Sequence, residues 1–395
     1  MNKVTDHWLG SFTLNILAYS TLLLPLYLLV AYVKNHPNLV HKFKFLACCI
    51  RSCILGAEEV EDTRLKSVEE GTTPISPVEE KPSSSAAIAI KLVWCVIGLQ
   101  VSYLTWGVIQ ERIMTREYEG ETFTNSQFLV FVNRILALFV AGGLLMFRPQ
   151  KSPQAPLYQF SFTSISNTLS SWCQYEALKF VSFPTLVLSK TCKSIPVMLM
   201  GKIISNKTYP YYEYAFALIL SLGVSLFVLE SETEGESGAR ETTFAGVIII
   251  IGYLGFDSFT SNWQSEIYKQ YKVSSVQMMY GVNLFSSLLT IISLVQRNVL
   301  FSSLYFLISH TEFALHCLIL SICSAVGQLF IFYTIQEFGP FIFTIIMTLR
   351  QAFSILLSCI IYQHYIGVQG IVGIVVVFGA IGFRMYCNKY INVKN

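Results

Sequence analysis

The stretch PTLVLSKTCKSIPVMLMGKII, Pro184 to Ile204, decides how the rest of the chain is read. It is long and apolar enough to cross a bilayer as a helix, for which about 20 residues suffice. Yet Lys190 and Lys193 stand near its middle. An ionisable residue at that depth costs roughly 2.5–3.5 kcal/mol on insertion scales, so two unpaired lysines nearly cancel the gain from their apolar neighbours. Their spacing puts both ammonium groups on one helical face, which must look into a bundle interior or a watered cavity. Two cations on one face call for an anion. Snorkelling to the interface accounts for Lys202 but not for the central pair. Pro196 removes a backbone donor and is expected to kink the helix, leaving the carbonyl of Cys192 free.

Composition sets the class. Of 395 residues, 53% are hydrophobic and only 13% charged, and the mean hydropathy is +0.54. So little charge in so long a chain excludes an ordinary soluble domain and predicts an all-α polytopic membrane protein. The net charge of +3 says little by itself, and no nucleic-acid partner is expected. Ten cysteines lie mostly inside apolar runs without paired spacing, so neither a disulfide framework nor a zinc site is indicated. Cys48, Cys49 and Cys53 flank a basic juxtamembrane stretch and are candidates for palmitoylation.

The first apolar run, Trp8 to Val33, is too long for a signal peptide and lacks its basic start and small-residue cleavage site. It reads as a retained transmembrane helix over 1–34. Lys34, Lys42, Lys44 and Arg51 follow it, so its C-terminal end faces the cytosol and its N-terminus the lumen. Residues 35–87 form a cytosolic linker whose acidic, Pro- and Ser-containing part, 56–87, is expected to be disordered. About ten hydrophobic segments follow, near 88–109, 127–147, 158–179, 185–204, 211–229, 244–263, 276–296, 312–335, 340–362 and 366–387. Alternating their ends assigns Arg148, Lys151, Lys207, Lys269, Lys272, Arg384, Lys389 and Lys394 to the cytosol. The acidic loops at Glu117–Glu121 and Glu230–Glu241 fall on the other side, with Arg112, Arg116, Lys179, Arg240 and Arg297 as their bases. The bias runs one way along the chain, which supports the count and a cytosolic C-terminus. The sequon at Asn206 then lies in the cytosol and is expected to go unused.

Ten helices divide into two fives, 88–230 and 231–395. Five is odd, so two such halves sit in opposite orientations, as in inverted-repeat transporters with a site at their interface. FVSFPTLVLSKTCKSIPVMLMG (180–201) and FGPFIFTIIMTLRQAFSILLSC (338–359) align without gaps, each with an early proline and a mid-helix cation. Identity there is slight, but Lys193 falls within about a residue of Arg350. Arginine clamps phosphate or sulfate oxygens with two donors, whereas lysine acts more as a point charge.

Other polar residues inside the apolar segments are candidates for the same site. Gln110 and Glu111 close the first core helix; Glu111 serves either as a counter-charge to the lysines or as an ordinary solvated helix end. Asp257, the most deeply embedded acid, suits an ion pair, a ribose hydroxyl or a structural hydrogen bond equally. Asn133, Arg134, Asn167, Gln174, Asn262, Gln264, Asn283 and Gln328 are costly in lipid and should point inward, some as interhelical glue. Trp106, Trp172, Tyr175, Trp263 and Tyr280 offer faces on which a base stacks, though single aromatics more often pack. No HExxH, GxSxG or glycine-rich phosphate loop is present, so an enzyme is disfavoured. His310, His316 and His364 read as structural. A receptor or scaffold leaves three buried cations without a purpose.

WGVIQERIMT (106–115), SKTCKSIPVMLMG (189–201), FDSFTSNWQ (256–264), SSVQMMYGVN (274–283), LSICSAVGQLFIFYTIQEFGP (320–340) and TIIMTLRQAFSILLSC (344–359) resemble the nucleotide-sugar transporter family over about 88–388. Within it they are most similar to the branch that carries 3′-phosphoadenosine 5′-phosphosulfate (PAPS). The resemblance implies a drug/metabolite-transporter fold with ten core helices, preceded here by one extra helix outside the match. It implies alternating access, with cytosolic PAPS exchanged for luminal adenosine 3′,5′-bisphosphate at the Golgi membrane to feed sulfotransferases. It gives Lys190, Lys193 and Arg350 to the phosphates and aligns Gln110 and Glu111 with the family's early Gln-Glu. The residue after the arginine is often lysine in relatives for other nucleotides; here it is Gln351, which weakens the charge at that point and bears on selectivity. Related nucleotides or nucleotide sugars remain alternative substrates. No cofactor or metal is implied, and the oligomeric state stays open, a homodimer included.

Overall fold

The computed structural model describes residues 85–115, 117–123, 125–148, 155–177, 180–181, 186, 189–233 and 244–362, with parts of 13–32 and 371–387. Cys48, Cys49, Cys53, His364 and the expected linker up to residue 84 lie outside them. The elements run α1 (Ser85–Thr115), β1 (Glu117–Tyr118), β2 (Glu121–Thr122), α2 (Ser126–Phe147), α3 (Leu157–Ala177), α4 (Ser194–Ser205), α5 (Tyr211–Thr233), α6 (Phe244–Gln270), α7 (Ser275–Gln296), α8 (Leu300–Ser309) and α9 (Thr311–Tyr362). Among the described residues, Ala87–Gln110, Gln127–Phe147, Ala245–Gln270, Ser275–Gln296 and Thr311–Arg350 are long and apolar enough to cross a membrane. Ser194–Ser205, Tyr211–Leu226, Leu300–Ser309 and Ile371–Ala380 are shorter apolar helices. The protein is thus a predominantly helical, multi-pass membrane protein. Large apolar side chains such as Phe139, Phe301 and Ile308 stand exposed, as lipid-facing positions require.

Several expectations are corrected. The first core helix starts at Ser85, inside the supposed linker, and continues past Gln110 and Glu111 to Thr115; leaving the membrane does not end a helix when the next residues, Glu, Arg, Ile and Met, are themselves fair helix formers. The acidic loop beyond it is a small antiparallel hairpin, Glu117 opposite Thr122 and Tyr118 opposite Glu121, so the described chain is not purely helical. Its two turn residues, Glu119 (φ 52°) and Gly120 (φ 87°), both sit in the left-handed region that a tight two-residue hairpin demands. The segments expected at 312–335 and 340–362, by contrast, are found as the two helical arms of α9, separated by a kink at Gly339, whose φ of 82° and ψ of 171° are non-helical; Pro340 opens the second arm. Finally, α8 was not anticipated: its 10 residues reach about 15 Å, half a bilayer core.

By contacts the chain forms two compact units, each drawing on both sequence halves. One comprises Leu9–Ile165 and Ile267–Gln336. Its α2 packs along α7. Phe160 of α3 lies so close to Gly281 of α7 that any Cβ there would stand 2.6 Å from the ring. Ser164 donates to the carbonyl of Val282 at 2.8 Å. The hairpin, α8 and the start of α9 enclose an aromatic cluster around Phe123, Phe128 and Phe313. Phe123 and Phe313 lie 4.6 Å apart between centroids. Tyr118 reaches the Nδ1 of His316 at 2.9 Å, and His310 stacks on Phe306.

The other unit comprises Met1–Trp8, Ser166–Glu266 and Glu337–Asn395. Its core joins Met198 of α4, Phe216 and Leu220 of α5, Phe341 and Ile345 of α9, and Val377 and Ala380. Arg384 grips Glu213 with Nε and Nη2 and lies over Phe216 and Phe341. The C-terminal half of α3 is bonded to α6, Ser166 donating to the carbonyl of Phe256 at 2.5 Å.

A candidate anion site around Lys193

The lysine pair does not ride on one continuous helix. Ser189–Thr191 are helical, Cys192 and Lys193 form a turn, and α4 begins at Ser194 with Lys193 as its N-cap. The distortion foreseen at Pro196 therefore falls before it, at a position where proline is tolerated, the first turn of α4. The carbonyl of Cys192 is not left free: the N–H of Ile195 donates to it at 3.3 Å, an i to i+3 closure that replaces the missing bond from Pro196. That expectation fails because the turn re-satisfies the group locally.

Three neighbours hold the turn. From α5, Ser221 donates to the carbonyl of Thr191 at 3.0 Å, and Ser225 shares a 3.0 Å hydrogen bond with the Thr191 hydroxyl. From α6, the fully buried Asn262 donates to the carbonyl of Val197 at 3.0 Å while also bonding that of Ser258 at 2.9 Å. Gly201 of α4 sits against this contact; a Cβ there would meet Asn262 Oδ1 at 3.0 Å and the Tyr209 hydroxyl at 3.1 Å.

On this frame Lys193 forms an ion pair with Asp257 of α6, their side chains 15% and 23% exposed. Its ammonium also lies 5.9 Å from the centroid of the Phe343 ring, within cation–π range. Lys190 interacts electrostatically with Arg350 of α9, Asp257 and Lys193. Lys190 and Lys193 from the first sequence half therefore both interact with Asp257 from the second, and Arg350, also from the second, stands near Lys190: three cations and one carboxylate, net +2, within one unit. The arrangement suits a polyanion reached through the partly exposed side of the pair.

Of the other sequence candidates, Asn167 on α3 and Asn262 belong to this unit. Asn262 spends its amide on α4 and α6. Gln110, Asn283 and Gln328 belong to the other unit, where Asn283 donates to Gln328 at 2.8 Å. Glu111 lies on α1 in that unit as well; Tyr175 and Gln351 lie on α3 and α9 in the lysine-bearing unit. The side chains of these three fall outside the described residues. Asn133 is buried and accepts from Ser321 at 2.8 Å, and Trp263 stacks on Phe259. Thr191, Ser221, Ser225 and Phe343 were not anticipated; the one available signal was the pair of hydroxyls four residues apart in SLGVSLF.

A model of the UAA transporter family matches residues 91–388. The Homo sapiens "Adenosine 3′-phospho 5′-phosphosulfate transporter 1" is 50% identical over 97% of this chain and 88% of its own. The Arabidopsis thaliana "UDP-galactose/UDP-glucose transporter 5" is 36% identical over 76% of this chain and 88% of its own. A solved crystal structure, 9% identical, superposes with a TM-score of 0.56 over 78% of this chain and 99% of its own, a likeness of fold alone.

Proposed function

The chain belongs to the UAA transporter family, and from that premise we propose that it is a Golgi antiporter bringing PAPS into the lumen in exchange for adenosine 3′,5′-bisphosphate. It works by alternating access on a ten-helix core of two inverted repeats, with its C-terminus in the cytosol and the product serving luminal sulfotransferases. The observation that carries this reading is the cluster of Lys190, Lys193 and Arg350 with the carboxylate of Asp257, which interacts with both lysines. A phosphate monoester carries about −1.5 to −2 at neutral pH. The bisphosphate therefore brings about −3 to −4, and PAPS, with one monoester, a bridging phosphate and a sulfate, brings nearly the same. Cations of this number suit either ligand, and equal ligand charge makes exchange nearly electroneutral. The name of the human relative supports PAPS as the substrate.

A second reading, transport of a UDP-sugar, is favoured by the name of the Arabidopsis relative. Counterflow separates the two. Proteoliposomes loaded with adenosine 3′,5′-bisphosphate are offered labelled PAPS, against ATP, UDP-sugars and GDP-sugars. The expected result is PAPS uptake that needs the internal bisphosphate and falls at least tenfold in Lys190→Ala, Lys193→Ala and Arg350→Ala. Uptake of a UDP-sugar instead overturns the substrate; PAPS uptake that survives all three substitutions overturns the site.

A further inference from the structure

The partner of Lys193 is a carboxylate fixed in place rather than a mobile one. Asp257 stands on α6 next to Ser258, one turn before Asn262, whose side chain bonds the Ser258 carbonyl and also joins α6 to α4 through Val197, the residue one turn after Lys193. Ser258, next to Asp257, and Ser194, next to Lys193, are both fully buried. The pair thus spans a rigid seam, while its own side chains keep 23% and 15% exposure. A ligand can reach it, yet water does not screen it fully. We propose that Asp257 sets the charge a substrate must carry, by occupying Lys193 until a stronger anion displaces it. This rests on Lys190, Lys193 and Arg350 being the anion site of the proposed transporter.

The charges give the consequence. With Asp257 on Lys193, the remaining excess is +2, carried by Lys190 and Arg350. A ligand with one phosphate, about −1.5 to −2, is matched by that excess and gains little by competing with a carboxylate already in place. A ligand with two, about −3 to −4, exceeds it and draws Lys193 away from Asp257. Only the second engages all three cations. The carboxylate thus acts as a threshold: it weakens binding of every anion, but most for those of low charge.

The test is competition against labelled PAPS in counterflow, comparing AMP with adenosine 3′,5′-bisphosphate in wild type, Asp257→Asn and Asp257→Glu. Wild type should prefer the bisphosphate strongly. Asp257→Asn should narrow that preference at least tenfold, chiefly through tighter AMP, while lowering the KM for PAPS and slowing turnover because release is harder. Asp257→Glu, which keeps the carboxylate, should retain most of the preference. An unchanged preference in Asp257→Asn, or AMP and bisphosphate weakening in parallel, overturns the proposal. Wild type supplies a check that needs no variant to fold: at equal concentration pyrophosphate should inhibit PAPS uptake at least tenfold better than sulfate or orthophosphate. Equal inhibition by all three overturns the threshold. Failure of the transport reading is read separately, as wild type that takes up no PAPS under these conditions.

Discussion

Removing Lys193 and Asp257 singly and together tests whether the pair holds the protein as well as its ligand. Breaking a fully buried ion pair by deleting one partner costs about 3–5 kcal/mol, because the survivor is left uncompensated, whereas an exposed pair is worth about 0–1 kcal/mol. Side-chain exposures of 15% and 23% place this pair between those limits and nearer the first, so a coupling energy of about 2 kcal/mol is expected. The two single substitutions should also differ. Asp257→Ala leaves Lys193 and Lys190 without that counter-charge and Arg350 still beside Lys190, whereas Lys193→Ala leaves Asp257 with Lys190 in reach. Asp257→Ala should therefore be the more destabilising, and the double substitution should recover stability relative to it.

The assay is thermal or denaturant unfolding of detergent-purified protein, followed by tryptophan fluorescence, for wild type, both single variants and the double. Counterflow on the same preparations should show the double variant folded but inactive. Adenosine 3′,5′-bisphosphate should raise the midpoint of Asp257→Ala more than that of wild type, since the ligand supplies the missing negative charge. Simple additivity of the two substitutions within about 0.5 kcal/mol, or a larger loss from Lys193→Ala than from Asp257→Ala, would refute the electrostatic reasoning.

Two further substitutions probe the frame that holds the turn. Gly201→Val puts a side chain where Asn262 Oδ1 and the Tyr209 hydroxyl already approach to 3.0 and 3.1 Å; overpacking of this kind costs about 1–3 kcal/mol, to be read as a lowered unfolding midpoint, and an unshifted midpoint would mean that α4 and α6 are not tightly joined. Ser221→Ala deletes the 3.0 Å bond to the Thr191 carbonyl, worth about 0.6–1.7 kcal/mol between membrane helices; KM for PAPS in counterflow should rise a few-fold with Vmax nearly kept, and an unchanged KM would remove α5 from the positioning of the lysines.

The lysines were legible because an intramembrane cation is costly wherever it stands, so Lys190, Lys193 and Arg350 announce themselves without any knowledge of their surroundings. Hydroxyls do not. Many serines and threonines in these helices bond their own preceding turn, as Thr334 does to the carbonyl of Phe330 and Thr260 to that of Phe256. Only tertiary structure shows that Ser221 and Ser225 instead reach across to Thr191. Length misled as well as helped. A filter set by bilayer thickness found the long spans, yet it had no place for α8, whose Leu300, Leu304 and Leu307 cover the aromatic cluster without crossing anything. Nor could polarity mark the end of α1, since Gln110, Glu111 and Arg112 are good helix formers.

The break between Lys190 and Lys193 also explains why this site depends on side chains. A helix N-terminus ordinarily offers an anion several free N–H groups and a favourable dipole. In the first turn of α4 that provision is curtailed: Pro196 has no N–H, and the N–H of Ile195 is committed to the carbonyl of Cys192. The dipole still favours negative charge, but the backbone cannot supply a phosphate cradle of the glycine-rich kind. The binding energy must come from ammonium and guanidinium groups, which act at longer range and with looser geometry than a backbone nest. Such a site senses total charge more than the shape of one phosphate, and that is the property on which a displaceable carboxylate such as Asp257 can act. It follows that Lys193→Gln, which keeps a hydrogen-bond donor but no charge, should fail in counterflow about as completely as Lys193→Ala. Substantial rescue by glutamine would mean that donor geometry, not charge, selects the ligand.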